Sequence, residues 1–327
     1  MKIFVVSVIF ITTLLSCNEK NNEITLQGST GRINNLILVM ENDLWKGQVG
    51  DSLRNIIASP VLGLPQEETQ FSISQIAPKS FSKLFQKNRN ILLVGISDKE
   101  GYSTKTNVYA NPQITVSILG KDIASLHQLI GEHKEDIISV FKEADIKMYQ
   151  RKVIKKHHNI DSIKTLTNLG VRLKVPKTYG LVDDTGDFLW LRQDISKGSM
   201  NIIAYALPLA DTDSIVNNIA NARNIIGKKH IPGQFDGTYM ITEAAYTPFT
   251  RKIKLSGELA YETRGKWEVK GDFMAGPFLN YTIVDKAHDR LLVFEGFTFA
   301  PSIKKRDFMF ELEAILKTLK IGSAESI

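Results

Sequence analysis

Short apolar runs alternate with amphipathic stretches along most of this chain, and the spacing sorts them into strands and helices. Asn35–Met40 (Asn-Leu-Ile-Leu-Val-Met) reads as a buried strand. A helix over Asp51–Ala58 follows, ended by Ser59-Pro60, and Phe71 and Ile73 with polar residues between them suggest another strand. Ile91–Ile96 and Ile114–Leu119 are rich in Ile, Val and Leu and predict two further strands. From Asp122 the period changes to that of a helix, interrupted near Gly131; Ile137, Phe141, Ala144 and Met148 then share one face.

A helix over Asp161–Leu169 ends at Gly170, a residue type suited to the position after a helix. Beyond it Val171, Leu173 and Val175 alternate, and Pro176 closes that strand. Asp187–Asp194 and Met200–Leu207 flank a turn at Ser196-Lys197-Gly198-Ser199 and predict a hairpin. Asp211 or Asp213 can cap a helix carrying Ile215, Ile219, Ala222 and Ile226, with Gly227 as its stop. Phe278–Asp285 and Leu291–Phe299 predict a second antiparallel pair. The last helix places Phe308, Leu312, Ile315 and Leu319 on one face. Strand, strand, helix thus occurs twice after residue 171, and the first half ends the same way. That order predicts an α+β fold: two domains of antiparallel sheet with helices on one face, ferredoxin-like or a similar sandwich. The expected division is residues 35–170 and 171–327.

The first 34 residues follow a different logic. Lys2 is a positive start, Ile3–Leu15 is an apolar segment broken only by Ser7, Thr12 and Thr13, and Leu14-Leu15-Ser16-Cys17 follows. Such a segment is too short to span a bilayer core, which needs roughly 20 apolar residues. It has the three parts of a secretory signal, residues 1–16. The four residues ending at Cys17 resemble the lipobox of bacterial lipoproteins. There the thiol takes a diacylglyceryl group and becomes the first residue of the mature chain, with further acylation of the palmitate type. Each buried acyl CH₂ contributes about 0.8 kcal/mol, so two or more chains anchor a protein durably. Asn18 stands where an aspartate would retain such proteins at the inner membrane, and this resemblance favours the outer membrane. Residues 17–34 are polar and Gly- and Ser-containing, a tether. Cys17 is the single cysteine of the chain, so no disulfide forms within one molecule and the fold must rest on its core.

Composition narrows the function classes only a little. The net charge of +6 becomes +5 once Lys2 leaves with the signal, and the charges are interspersed. Export argues against nucleic acid as a partner, and mild basicity allows anionic envelope material. Several clusters are similar to an uncharacterised family of Bacteroidetes lipoproteins, a domain of unknown function covering nearly the whole mature chain. They are Leu44-Trp45-Lys46-Gly47, Val49–Arg54, Gly63-Leu64-Pro65-Gln66, Trp267-Glu268, Phe273–Phe278, Glu295-Gly296-Phe297, Ala300-Pro301 and Lys304–Asp307. Ala275 departs from the family pattern, which has a second glycine there. The resemblance implies a lipoprotein and carries no chemistry.

Of the six histidines, His127 and His133 fall on different helix faces and His157-His158 are adjacent, so neither pair has metal-ligand spacing. No phosphate loop, dinucleotide fingerprint or nucleophile elbow is present. No metal or cofactor is therefore expected. Glu67-Glu68 and Asp183-Asp184 are vicinal acids in loops, and Asp211-Thr212-Asp213 lacks the glycine and glutamate of a calcium loop. Arg151, Lys152, Lys155, Lys156, His157 and His158 form a basic cluster at a helix end, fit either for the helix dipole or for lipid phosphates. Trp45 and Trp267, each near a glycine, are candidate surfaces for a sugar or peptide, with core packing as the other reading. Lys304, Lys305 and Arg306 crowd the start of the last helix, where acids are favoured. They form a candidate anion site. The function expected is a lipid-anchored, non-enzymatic binding or assembly module of the envelope, held to the membrane by its lipid. Its partner would be an envelope protein, a glycan or an anionic lipid. The alternative is an envelope enzyme acting on cell-wall or lipid substrates at a site assembled by the fold.

Overall fold

A computed structural model describes residues 26–209 and 212–322. The signal, residues 17–25 of the tether with Cys17 among them, and Asp211 lie outside the described residues. Two large sheets carry the architecture. The first half runs β1 (Asn35–Val39), α1 (Asn42–Lys46), α2 (Gln48–Ile57), β2 (Ser72–Ile76), α3 (Lys83–Gln86), β3 (Asn90–Ile96), β4 (Gly101–Thr106), β5 (Ile114–Gly120), α4 (Ile123–Glu132) and α5 (Lys134–Lys155). The second runs α6 (Lys164–Asn168), β6 (Val171–Arg172), β7 (Gly180–Asp184), β8 (Phe188–Ile195), β9 (Gly198–Pro208), α7 (Thr212–His230), β10 (Tyr239–Thr242) and β11 (Phe249–Leu255). It closes with β12 (Glu258–Lys270), β13 (Ala275–Asp285), β14 (Arg290–Phe299), α8 (Arg306–Leu316) and β15 (Lys320–Ile321).

The class is α+β, as the pattern predicts, and the eight-stranded sheet of the second half is antiparallel, in the order β10-β12-β13-β14-β9-β8-β7 with β11 added on β12. The five-stranded sheet, ordered β2-β1-β3-β5-β4, differs from expectation. Its β1–β2, β1–β3 and β3–β5 pairings are parallel, and only β4 runs against β5. Parallel neighbours need crossovers, and the helical segments between these strands supply them. One face of this sheet presents Leu36, Leu38, Leu92, Val116 and Ile118 to helices α2, α4 and α5. The expected stripe on α5 is buried at Ile137, Phe141 and Met148. The helix break falls at His133 rather than Gly131.

In the second half, helices cover both faces of the sheet rather than one. Leu292 and Phe294 of β14 point to the side of α8, where Leu312 and Ile315 are fully buried. Leu291 and Val293 point to the other side, toward α7, whose Ile215 and Ile219 are also buried. A strand covered on both faces loses its polar alternation, so β13 and β14 read as near-continuous apolar runs. Gly227 does not stop α7, which continues to His230. It is small because the helix lies on β10: a Cβ there would come within 2.1 Å of the Met240 carbonyl oxygen. Ile160, Ile163, Leu166 and Leu169, ahead of Gly170, pack in the core of this second half.

Candidate functional site

The two halves meet along α5 and α8, and the junction is polar. Asn34, fully buried at φ 56°, precedes β1 and acts as the hub. Its backbone N–H donates to Asp145 of α5 (2.7 Å), and its side-chain amide donates to Asp307 of α8 (2.9 Å). Its amide oxygen accepts from Lys142 Nζ (2.7 Å). Asp145 also takes Arg89 (3.0 Å) and Asn90 (3.1 Å) and is completely buried. Burying an acid this deeply is tolerable only with such a full set of donors. Tyr149 donates to Glu311 (2.7 Å) and Gln150 to the Ala314 carbonyl (3.0 Å), so α5 and α8 are bonded along their lengths.

Beside this junction opens a cleft of about 480 Å³, walled by both halves. A volume of this size falls within the range of small-ligand pockets. Its floor is an ion network on β12 and α8. Arg264 donates to Glu262 (2.9 Å) and Glu313 (2.7 Å), and Lys317 donates to Glu313 (2.7 Å). Arg251 on β11 reaches Glu262 at 3.1 Å. Burial alone would raise both glutamates, but the charge and hydrogen bond of Arg264, joined by Arg251 at Glu262 and by Lys317 at Glu313, together outweigh it and hold both below the usual carboxylate range. These acids stay ionised and committed to their arginine.

Lys142 projects into the same cleft from α5. Its ammonium donates to Asn34 Oδ1 and to the Gln70 carbonyl (2.9 Å), both neutral. It lies 4.8 Å from the centre of the Phe71 ring and 5.3 Å from that of Phe310. Burial, opposed by Glu313 and reinforced by Arg306 and Arg264, pushes this amine down to about 7.

The residues singled out from the sequence fall elsewhere. Lys304 is exposed, but Lys305 and Arg306 are buried. The anion at the start of α8 is internal: the Glu68 carboxylate accepts the backbone N–H groups of Lys305 (2.6 Å) and Arg306 (3.2 Å). The Arg306 guanidinium donates to Asp307, the Thr69 carbonyl and Ser72. The three cations therefore form no open anion site; two of them help fasten one half to the other. Trp267 is buried against Phe297, which excludes it as an exposed platform. Trp45 is half-buried, with the Arg54 guanidinium 4.3 Å over its ring. Asp184 receives the backbone N–H groups of Lys164 and Thr165 at the start of α6. In the basic cluster, His158 bonds the Tyr179 carbonyl (2.6 Å), a structural tie, while Arg151, Lys152, Lys155 and Lys156 are exposed. Among the described residues no three His, Cys, Asp or Glu side chains gather as a metal site would need.

Lys142, Arg264, Glu262 and Glu313 were not singled out from the sequence. One signal was available: Asp145 lies four residues after Phe141 and interrupts an otherwise apolar helix face, a sign of a buried, paired acid.

Sequence comparison divides the chain at the same junction. Residues 29–154 match the family model described as Domain of unknown function (DUF8532), and residues 157–318 match that described as Domain of unknown function (DUF4837). Each half matches its own family model of unknown function, and together the two cover nearly all of residues 29–318. The cleft thus lies between the half matched by the first model and the half matched by the second, with Lys142 from the one and the Arg264 network from the other. No curated protein matches the chain in sequence. Solved structures similar in part include LpqN, involved in cell envelope biogenesis of Mycobacterium tuberculosis (12% identity, 46% of this chain and 83% of that one, TM-score 0.32). Another is the Saccharomyces cerevisiae Ran-binding protein Mog1p (9% identity, 48% and 92%, TM-score 0.33). A third is a STAR-related lipid transfer protein fragment from Xanthomonas axonopodis (13% identity, 43% and 96%, TM-score 0.19).

Proposed function

We propose that the protein is a lipid-anchored module of the cell envelope, held at Cys17, that binds a ligand in the cleft between its two halves. The signal-like leader and the lipobox at Cys17 support the anchor. No helix among the described residues is long and apolar enough to cross a membrane, which fits attachment by lipid. The observation that carries the binding reading is the cleft itself. It has ligand-sized volume and walls from both halves, and its buried acids, Glu262 and Glu313, are ionised and held by Arg264 rather than poised to move protons.

The test is photo-crosslinking in living cells. A benzophenone side chain replaces Leu62 or Phe249, exposed residues on the cleft, or Leu181, exposed on β7. Adducts of defined mass are expected at the two cleft positions and not at Leu181. Equal adducts at all three positions, or none, would end the reading.

One observation favours the enzyme alternative: an amine that is partly neutral near pH 7 lies in the cleft at Lys142. Turnover of a cell-wall or lipid substrate by the wild type, lost in Lys142→Met while the variant remains folded, would establish it.

A further inference from the structure

Resting on the binding reading above, we infer that the cleft takes an amphiphilic anion. Its singly charged head, such as a carboxylate, sits at Lys142, and its apolar body lies against Leu62, Phe249 and the wall behind them.

The pairing of the charges points to an anion. Five cations line the cleft: Lys142, Arg251, Arg264, Arg306 and Lys317. The carboxylates that pair with them are three: Glu262, Glu313 and, for Arg306, Asp307. Glu135 and Glu143 bring the carboxylates around the cleft to five as well, and yet Lys142 has no carboxylate bonded to it. Lys142 is the member whose hydrogen-bond acceptors are both uncharged, the Asn34 amide oxygen and the Gln70 carbonyl. An ammonium has three donors, so one remains for a ligand. Burial makes its charge costly and repulsion from Arg306 and Arg264 adds to that cost; for an anion placed beside it the same two guanidinium groups are attractive. Glu135 and Glu143 also line the cleft, and both are exposed. Their negative charge disfavours a multiply charged head and leaves a single charge as the better fit.

The walls point to an apolar body. Leu62, 49% exposed, and Phe249, 43% exposed, come from opposite halves and offer large apolar side chains to whatever occupies the cleft. Ile138, Ile146, Met309 and Phe310 continue that surface. A purely ionic ligand would leave these groups facing water, and a neutral one would leave Lys142 without a counter-charge.

The full chain in lipid nanodiscs, dialysed to equilibrium with radiolabelled octanoate, tests this against empty nanodiscs. One saturable octanoate per chain is expected. Acetate, with the head alone, and octanol, with the body alone, should each compete at least tenfold more weakly than unlabelled octanoate. Lys142→Met and Leu62→Glu should each weaken binding at least tenfold, and Leu181→Glu should leave it unchanged. Leu62 is exposed, so its variant reports on the cleft even if Lys142→Met fails to fold. Absence of saturable octanoate would overturn the inference, and so would undiminished binding in Leu62→Glu. Equal competition by octanol would remove the anionic head. Each of these failures, with cleft-specific crosslinks still present at Leu62 and Phe249, would leave the binding reading standing and reject the ligand class alone.

Discussion

Glu68 and Lys305 lie 237 residues apart, yet the carboxylate of one accepts the backbone N–H of the other at 2.6 Å. The start of α8 has no side-chain cap of its own. A loop acid from the opposite half supplies the negative charge that is missing from the sequence around the crowded cations Lys304, Lys305 and Arg306. The positive end of a helix favours an acid, and here the acid arrives through tertiary structure.

Removing that acid should therefore weaken the junction. Glu68→Ala orphans two buried N–H groups and should cost about 2–4 kcal/mol, whereas Glu68→Gln keeps one acceptor and should cost less. Urea unfolding of the two variants checks the order. An unchanged midpoint in Glu68→Ala would mean that water replaces the carboxylate without loss.

Leu312 tests the core. It is fully buried on the face of the sheet that β14 presents through Gly296, where an added Cβ would come within 2.9 Å of the Leu312 side chain. The glycine makes room for the leucine. Leu312→Ala should cost about 2–5 kcal/mol in denaturant unfolding. A loss below about 0.5 kcal/mol would show that α8 can leave the sheet without consequence.

Most strands legible in the sequence, β1 and β3 among them, are buried on both faces, where few polar residues break the apolar run. Strand β2 was legible instead from the alternation of Ile73 with polar neighbours. The longest strand, β12, escaped because Glu262, Thr263 and Arg264 stand in its middle. Its polarity is matched by Glu313, 49 residues later on α8, and by Arg251 across the hairpin. A paired charge and a solvated one look alike in a linear pattern. The cleft was hidden for the same reason: its side chains come from α5, β11, β12 and α8, and their complementarity exists only once those elements meet. Parallel pairing in the first sheet was equally invisible, since Leu36, Leu92 and Val116 would be apolar in either direction.

Lipidation at Cys17 is tested by chemistry rather than by fold. Cys17→Ala should remain uncleaved or become soluble, and should lose its partition into detergent. Mass spectrometry of the wild-type mature N-terminus should show an acylated cysteine. An unmodified residue elsewhere would overturn the anchor.

Lys142 makes the stability of the protein depend on pH in a direction that can be stated. Its amine titrates at about 7 in the folded chain against 10.5 for an unperturbed lysine, burial being the main cause. Between those two values the unfolded chain binds more protons than the folded one, so raising the pH favours folding. Below about 7 both states carry the proton, and the cost of the buried ammonium is fully present. Above about 10.5 both have lost it, and that cost is gone. Within the window the gain is at most about 1.4 kcal/mol per pH unit. Lys142→Met lacks the titrating group but also leaves Asn34 and Gln70 without their donor, so its absolute stability is a poor guide. The difference between the two proteins is the better measure. Urea unfolding at pH 6, 8 and 9.5 should show wild type gaining on Lys142→Met at each step. Parallel profiles would mean that the amine keeps an ordinary lysine titration and stays fully charged in the cleft.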